Sequence, residues 1–291
     1  MQVMFARLKI FLEMIKFPHT VFALPFAFTG AVLAANGFPS GAQALWIAVA
    51  MVGARTAAMG LNRLIDAEID ARNPRTSGRA IPAGRLGKGT VALLIAFSIV
   101  LFVFAASRLN MLCLYLSPVA LVLLVSYSYC KRFTSLSHLV LGLCLAAAPV
   151  GAWIAITGSL EFPAILLGVG VLFWVAGFDI LYALQDLDFD RSSGLHSIPA
   201  RLGISGSLRM ARLFHLVLPS MLVALYFMLN LGILFLFGLL LAFVMLCYEH
   251  WLLRDADLAR LDAAFFTING YISVALFVFT LGDIVWRHGM A

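Results

Sequence analysis

Long apolar runs separated by short polar connections dominate the 291-residue chain. A helix rises about 1.5 Å per residue and needs about 20 apolar residues to cross a bilayer. Nine runs approach that length, at 18–36, 43–65, 90–107, 111–130, 138–158, 163–183, 208–230, 231–249 and 265–286. The pattern predicts an all-α integral membrane protein of nine transmembrane helices, organised as a single membrane-embedded domain over 1–291. The seventh and eighth spans meet at Leu229 and Asn230, where the apolar run barely pauses. Ahead of the spans, 1–16 mixes apolar residues with Arg7, Lys9, Glu13 and Lys16, the pattern of an amphipathic helix lying on a membrane surface. Pro18 and Pro25 are expected to bend the first span, which neighbouring helices can tolerate. Val32, Leu33 and Ala34 pass for a signal-cleavage site, but the charged loops already alternate correctly with that helix retained.

Composition agrees: hydrophobic residues make up 63% and charged ones 12%, against roughly 45–50% and 25% in soluble domains. The net charge of +6 matters less than its placement. Apart from Arg55, inside a span, and Arg108 and Arg287, every Lys and Arg lies near the N-terminus or the loops after spans two, four, six and eight. The positive-inside rule then puts the N-terminus and those loops in the cytoplasm and the C-terminus outside. The expected location is the bacterial cytoplasmic membrane. Interspersed acids and the lack of a basic tract interleaved with aromatics exclude nucleic acid as a partner. Cys113, Cys130, Cys144 and Cys247 fall in or beside apolar spans without metal-ligand spacing, so they read as packing residues with no disulfide framework.

Two stretches do not fit packing alone. In the second span Arg55, Asn62, Asp66 and Asp70 sit at offsets 0, 7, 11 and 15, which stacks them on one helical face. The sixth span ends in a similar column, Asp179, Tyr182, Asp186 and Asp190. Aligning the acids sets Asn62 against Tyr182, Asp66 against Asp186 and Asp70 against Asp190, which hints at an internal duplication. Ionisable groups in a membrane segment are expensive, so such columns signal a polar ligand. Asp179 lies seven residues, about 10 Å, before Asp186 and needs a partner inside the bundle. After Asp70, the Arg-, Gly- and Pro-rich loop 71–85 carries Arg72, Arg75, Arg79 and Arg85. It either follows the charge rule or, beside two carboxylates, grips phosphate with guanidinium forks. Tyr127 and Lys131 share a helical face at the end of span four, as membrane anchors or as ligands, with Arg132 beside them. The loop 191–203 is a second expected cap, with His196 a solvated loop residue. His215, Glu249, His250, the charges between Arg254 and Asp262, and Asp283 read as flanks of the later spans.

Four aspartates facing one another repel by about 4 kcal/mol per close pair at an effective dielectric of 20. Divalent cations between carboxylates and phosphate oxygens relieve that repulsion, and Mg²⁺ is the hard octahedral ion suited to the task. A metal-bound diphosphate is a good leaving group, and an allylic ester would ionise to a cation sheltered by apolar walls.

The ordered set Asn62-x3-Asp66-x3-Asp70, Tyr127-x3-Lys131-Arg132-Phe133-Thr134 and Asp179-x2-Tyr182-Ala183-x2-Asp186-x3-Asp190 resembles the UbiA-type intramembrane aromatic prenyltransferases of the 4-hydroxybenzoate polyprenyltransferase family. The resemblance runs from Lys16 to Gly203. It implies a nine-helix bundle around a central cavity that is capped on the cytoplasmic side and open laterally to lipid. It also implies that Asp66, Asp70, Asp186 and Asp190 hold Mg²⁺ and diphosphate, with Asn62, Arg75, Arg79, Lys131 and Tyr182 in substrate binding. Tyr127 and Asp179 would stand near the reacting carbon, and Asp179 is the candidate base. Arg55 would read the acceptor carboxylate, since a buried guanidinium needs an anion.

The implied partners are a polyprenyl diphosphate, an aromatic hydroxy acid and membrane lipid, and the implied reaction is electrophilic aromatic substitution in quinone biosynthesis. Overall resemblance favours 4-hydroxybenzoate as the acceptor. The runs 53–58 and 195–199 also resemble relatives that act on a dihydroxynaphthoate in a menaquinone route. Two rivals fare worse: a lipid phosphotransferase should carry an Asp-Gly-x2-Ala-Arg signature, and an ion-coupled transporter should hold its carboxylates near the midplane.

Overall fold

The computed structural model describes residues 2–16, 20–253 and 267–289. Pro18 and the charges between Arg254 and Asp262 lie outside the described residues. The α-helices among the described residues are, in chain order, α1 (Gln2–Met14), α2 (Thr20–Ala35), α3 (Gly41–Ile65), α4 (Ala67–Arg72), α5 (Lys88–Leu109), α6 (Met111–Cys130), α7 (Ser137–Thr157), α8 (Phe162–Ala183), α9 (Leu187–Ser192), α10 (Ile198–His215), α11 (Val217–Met228), α12 (Ile233–Leu252) and α13 (Asn269–Gly289). No strand occurs among the described residues. Among the described residues eight helical segments are long and apolar enough to cross a membrane, and Leu24–Ala35 is a shorter apolar helix at the expected first span. The protein is an integral membrane protein.

The helices form a ring: α3 and α5 pack on α6, then α7, α8, α11, α12, α13 and α2 follow, with α2 also lying on α7. Small residues set the closest approaches, as is usual where helices associate without a hydrophobic driving force. A Cβ added to Gly142 of α7 would stand 2.2 Å from the Leu172 carbonyl oxygen of α8, and one added to Gly30 of α2 would stand 2.3 Å from that of Pro149 in α7. The largest core cluster surrounds α8, whose Trp174, Val175, Ile180 and Leu181 are buried.

Both acidic columns break at matching aspartates, Asp66 and Asp186. Helix α3 stops at Asp66 (φ −88°, ψ 2°), and the six-residue α4 carries Asp70 onward. Helix α8 tightens into a 3-10 turn over Leu184–Asp186, and the six-residue α9 carries Asp190. The loop beyond α4 is a string of turns, as expected, closed by bonds such as Leu86 N–H to Ala80 O at 3.0 Å. Phe11 and Ile15, at the end of α1 and just after it, are buried against Ala80, Ile81 and Leu86 of that loop.

Two expectations change. The second half of the 191–203 loop is helical: Ser197 caps α10 by accepting the Ala200 N–H, and the left-handed Gly203 (φ 67°) kinks the helix, which breaks again at Leu216. Its arginines hide this helix from a hydropathy reading. His215, Glu249 and Asp283 are buried rather than flanking. Asp283 accepts the Gly232 and Phe235 N–H groups at 2.7 and 3.3 Å, so it caps α12 from another helix. Glu249 Oε1 accepts from Asn269, whose Oδ1 accepts the Trp174 indole N–H at 2.9 Å. Buried polar groups persist when a partner meets them, and these partners come from distant segments.

Candidate active site

A cavity of about 1030 Å³ opens where α3 and α8 end and runs between α3, α5, α6, α7 and α8. All twelve residues singled out from the sequence line it: Arg55, Asn62, Asp66, Asp70, Arg75, Arg79, Tyr127, Lys131, Asp179, Tyr182, Asp186 and Asp190. Asp66, Asp70, Arg75, Arg79, Lys131, Asp186 and Asp190 lie at or beyond the ends of their helices, Arg55 and Asp179 lie further inside α3 and α8, and the interior is walled by Phe26, Met51, Phe102, Leu116, Leu123 and Trp174 among others.

The two columns meet through the loop after α4. Arg75 donates a fork to Asp186, from Nε to Oδ1 at 2.8 Å and from Nη2 to Oδ2, while its Nη1 donates to the Tyr182 hydroxyl at 3.2 Å. Asn73 Nδ2 donates to the same Asp186 Oδ1 at 2.9 Å. Burial alone would lower the Arg75 guanidinium, but its bonds to Asp186 outweigh that and hold it above its ordinary range. On the first column Arg79 Nη1 donates to both oxygens of Asp70 at 2.7 Å. Lys131 Nζ lies 2.6 Å from Asp66 Oδ2, which also accepts from Asn62 at 3.0 Å. Burial pushes the Asp66 carboxyl up from the usual range, and the Lys131 ammonium opposes this only in part.

Three neighbours escaped the sequence reading. Asn73 and the helical His138 look like ordinary polar residues in a one-dimensional pattern, yet Asn73 bridges to Asp186, and His138 Nδ1 lies 2.7 Å from Asp179 Oδ2. Arg63 donates to Asn62 Oδ1 at 3.2 Å and lines the cavity. Arg63 stands eight residues after Arg55, close to the same helical face, which is the signal that could have found it. His196, expected in solvent, is exposed, with its N–H on the Lys131 carbonyl at 2.8 Å.

The donor set suits a hard divalent cation. Asp66 Oδ1 is buried without a hydrogen-bond partner among the described residues, with the Arg132 guanidinium 3.9 Å away, so this carboxylate oxygen can take a further ligand. No three acidic, histidine or cysteine side chains among the described residues converge on one point. An ion here would therefore be shared by one or two carboxylates and completed by phosphate oxygens and water, which is how Mg²⁺ is commonly held.

An all-helical membrane bundle with two carboxylate columns and a set of basic forks at the mouth of an apolar chamber has the make-up of an intramembrane prenyltransferase. Residues 23–271 match the UbiA prenyltransferase family, and the chain belongs to that family. It is 32% identical over 248 residues to 4-hydroxybenzoate octaprenyltransferase of Tolumonas auensis, covering 84% of this chain and 85% of that protein. The enzyme of the same name from Aliivibrio salmonicida is 28% identical over 246 residues, covering 84% and 86%. Among solved structures, a UbiA homolog from Aeropyrum pernix K1 aligns with a TM-score of 0.80 and 30% identity over 93% of this chain and 98% of its own. A UbiA homolog from Archaeoglobus fulgidus, solved with DMAPP and Mg²⁺ bound, shares the fold with a TM-score of 0.68 at 18% identity, over 94% and 99%.

Proposed function

We propose that the protein transfers a polyprenyl group from an allylic polyprenyl diphosphate to an aromatic hydroxy acid, with Mg²⁺ as its resident metal. The name carried by its relatives makes 4-hydroxybenzoate the first acceptor to test. The observation that carries this reading is a single, largely apolar cavity lined by the aspartates of both columns, with Arg75 of the loop after α4 forked onto Asp186.

Asp66, Asp70, Asp186 and Asp190 hold the metal in this reading. When bound, Mg²⁺ neutralises charge on the departing diphosphate. Arg75, Arg79 and Lys131 exchange their carboxylate partners for phosphate oxygens, the guanidiniums as bidentate forks and the ammonium as a point charge. Asn62 keeps Asp66 oriented by its 3.0 Å bond. Apolar walls take the polyprenyl tail and keep water from the allylic cation. Arg55 reads the carboxylate of the acceptor, Tyr127 and Tyr182 bound the space where the ring lies, and Asp179 takes the proton that the substituted ring gives up. Holding both substrates in register supplies much of the acceleration.

The catalytic unit is the whole chain, 1–291, with 1–16 at the membrane surface. Its mouth faces the cytoplasm of a bacterial inner membrane, because the N-terminal helix, the 63–88 segment, Lys131, Arg132 and the 191–212 segment crowd basic residues at that end. The reading is tested with membranes containing the protein, Mg²⁺, a labelled polyprenyl diphosphate and a panel holding 4-hydroxybenzoate and dihydroxynaphthoates. Metal-dependent prenylation of one of these acids supports it. No product from any hydroxylated aromatic acid overturns it, and prenylation of a naphthoate alone moves the acceptor from benzoate to the bicyclic acid.

A further inference from the structure

We propose that His138 is the positioning residue for Asp179, holding one carboxylate oxygen so that the other stands toward the chamber to take the ring proton. The inference rests on the base role assigned to Asp179 above.

His138 is the second residue of α7 and only 3% exposed. Its Nδ1 lies 2.7 Å from Asp179 Oδ2 on α8, and its Nε2 lies 3.3 Å from the backbone nitrogen of Ile198, the first residue of α10. A backbone amide can only donate, so Nε2 must be the accepting nitrogen. The ring hydrogen is then on Nδ1 and is donated to Asp179. Three helices thus fix the tautomer, and a second ring proton at Nε2 would cost the Ile198 bond. Asp179 makes no other hydrogen bond among the described residues, and its side chain lines the cavity with Tyr127. Oδ1 is left as the carboxylate's available acceptor.

The chemistry balances around that oxygen. A ring carbon bonds to the allylic carbon, the carbon–oxygen bond to diphosphate breaks, and its electron pair leaves with diphosphate. The ring regains aromaticity when the electron pair of the C–H bond at the substituted carbon returns to it and the proton passes to Asp179 Oδ1. Because the His138 N–H engages Oδ2, the carboxylate cannot swing away from the ring. A purely structural histidine would make the same contacts, so the test must read proton removal itself.

The experiment compares wild type, D179N, H138L and H138Q in lipid nanodiscs with Mg²⁺ and polyprenyl diphosphate. The acceptor, chosen as whichever acid the panel shows to be prenylated, is used with hydrogen or deuterium ortho to its hydroxyl. Leu removes both bonds, whereas the Gln amide supplies an N–H and a carbonyl at similar reach. The expected H138L result is a kcat lower by about 10- to 100-fold, a share of the 10²–10⁴ that a placed base contributes. The KM for diphosphate should hold, and a primary isotope effect absent in wild type should emerge as proton removal becomes slow. H138Q should keep kcat within a few-fold of wild type, without the isotope effect. Wild-type kcat in H138L, or a slowed H138L with no isotope effect, overturns the inference. A folded H138Q as slow as D179N overturns it too, even if H138L does not fold. A fully active D179N is a different failure, since it removes the base role of Asp179 and the inference with it.

Discussion

Replacing Asp186 by Asn removes one negative charge and one acceptor. The amide oxygen can still accept from Asn73 and from one arm of Arg75, so the loss is the charge and the second bond of a fork whose partners are 31% and 19% exposed. At that exposure solvent screens the pair, and its loss should cost at most about 1 kcal/mol of stability. The effect on catalysis is larger because Asp186 is proposed to face the metal and the departing diphosphate. Loss of one preorganised group that stabilises developing charge costs roughly 3 kcal/mol, which is about 100-fold in rate. The assay is initial-rate prenylation in membranes with labelled polyprenyl diphosphate and Mg²⁺, alongside thermal unfolding of the purified protein. The expected outcome is a kcat/KM lower by about two orders of magnitude with Tm almost unchanged. A D186N enzyme with wild-type kcat/KM refutes the reasoning.

Other outcomes follow from the same geometry. Arg55→Ala should raise the acceptor KM about 10-fold or more and leave the diphosphate KM alone, read from initial rates over both substrates. The Asp66 carboxyl is raised by burial, so it favours its protonated form. Folding stability from this group is present at low pH and lost as pH rises through its folded value, whereas the metal needs the ionised form. The Mg²⁺ concentration for half-maximal activity should therefore climb as pH falls, at a higher pH than for an ordinary carboxylate, and the climb should flatten in D66N. Gly142→Ala would press a Cβ within 2.2 Å of the Leu172 carbonyl oxygen and should destabilise the protein by about 1–3 kcal/mol, seen as a lower Tm.

Much of this was legible in sequence because a bilayer imposes length and hydropathy on each span. The expected 111–130 span coincides with α6, and 163–183 differs from α8 by one residue at its start. The acidic columns were legible because helical periodicity places residues four apart on one face. Their interruption at Asp66 and Asp186 was not, since neither glycine nor proline marks the breaks. Contacts between distant segments were also out of reach: Glu249 with Asn269, Asp283 with the start of α12, and His138 between Asp179 and Ile198. A span-by-span reading places such groups at flanks because it sees their cost and not their partners.

The central claim is that aspartates from both halves of the chain serve one metal-dependent diphosphate site. Calorimetric titration of a non-ionising polyprenyl thiodiphosphate, with and without Mg²⁺, into wild type, D66N and D186N tests it most directly. The account predicts Mg²⁺-dependent binding in wild type that weakens sharply in both variants. Binding that needs no metal, or that survives intact when either column is altered, would contradict it.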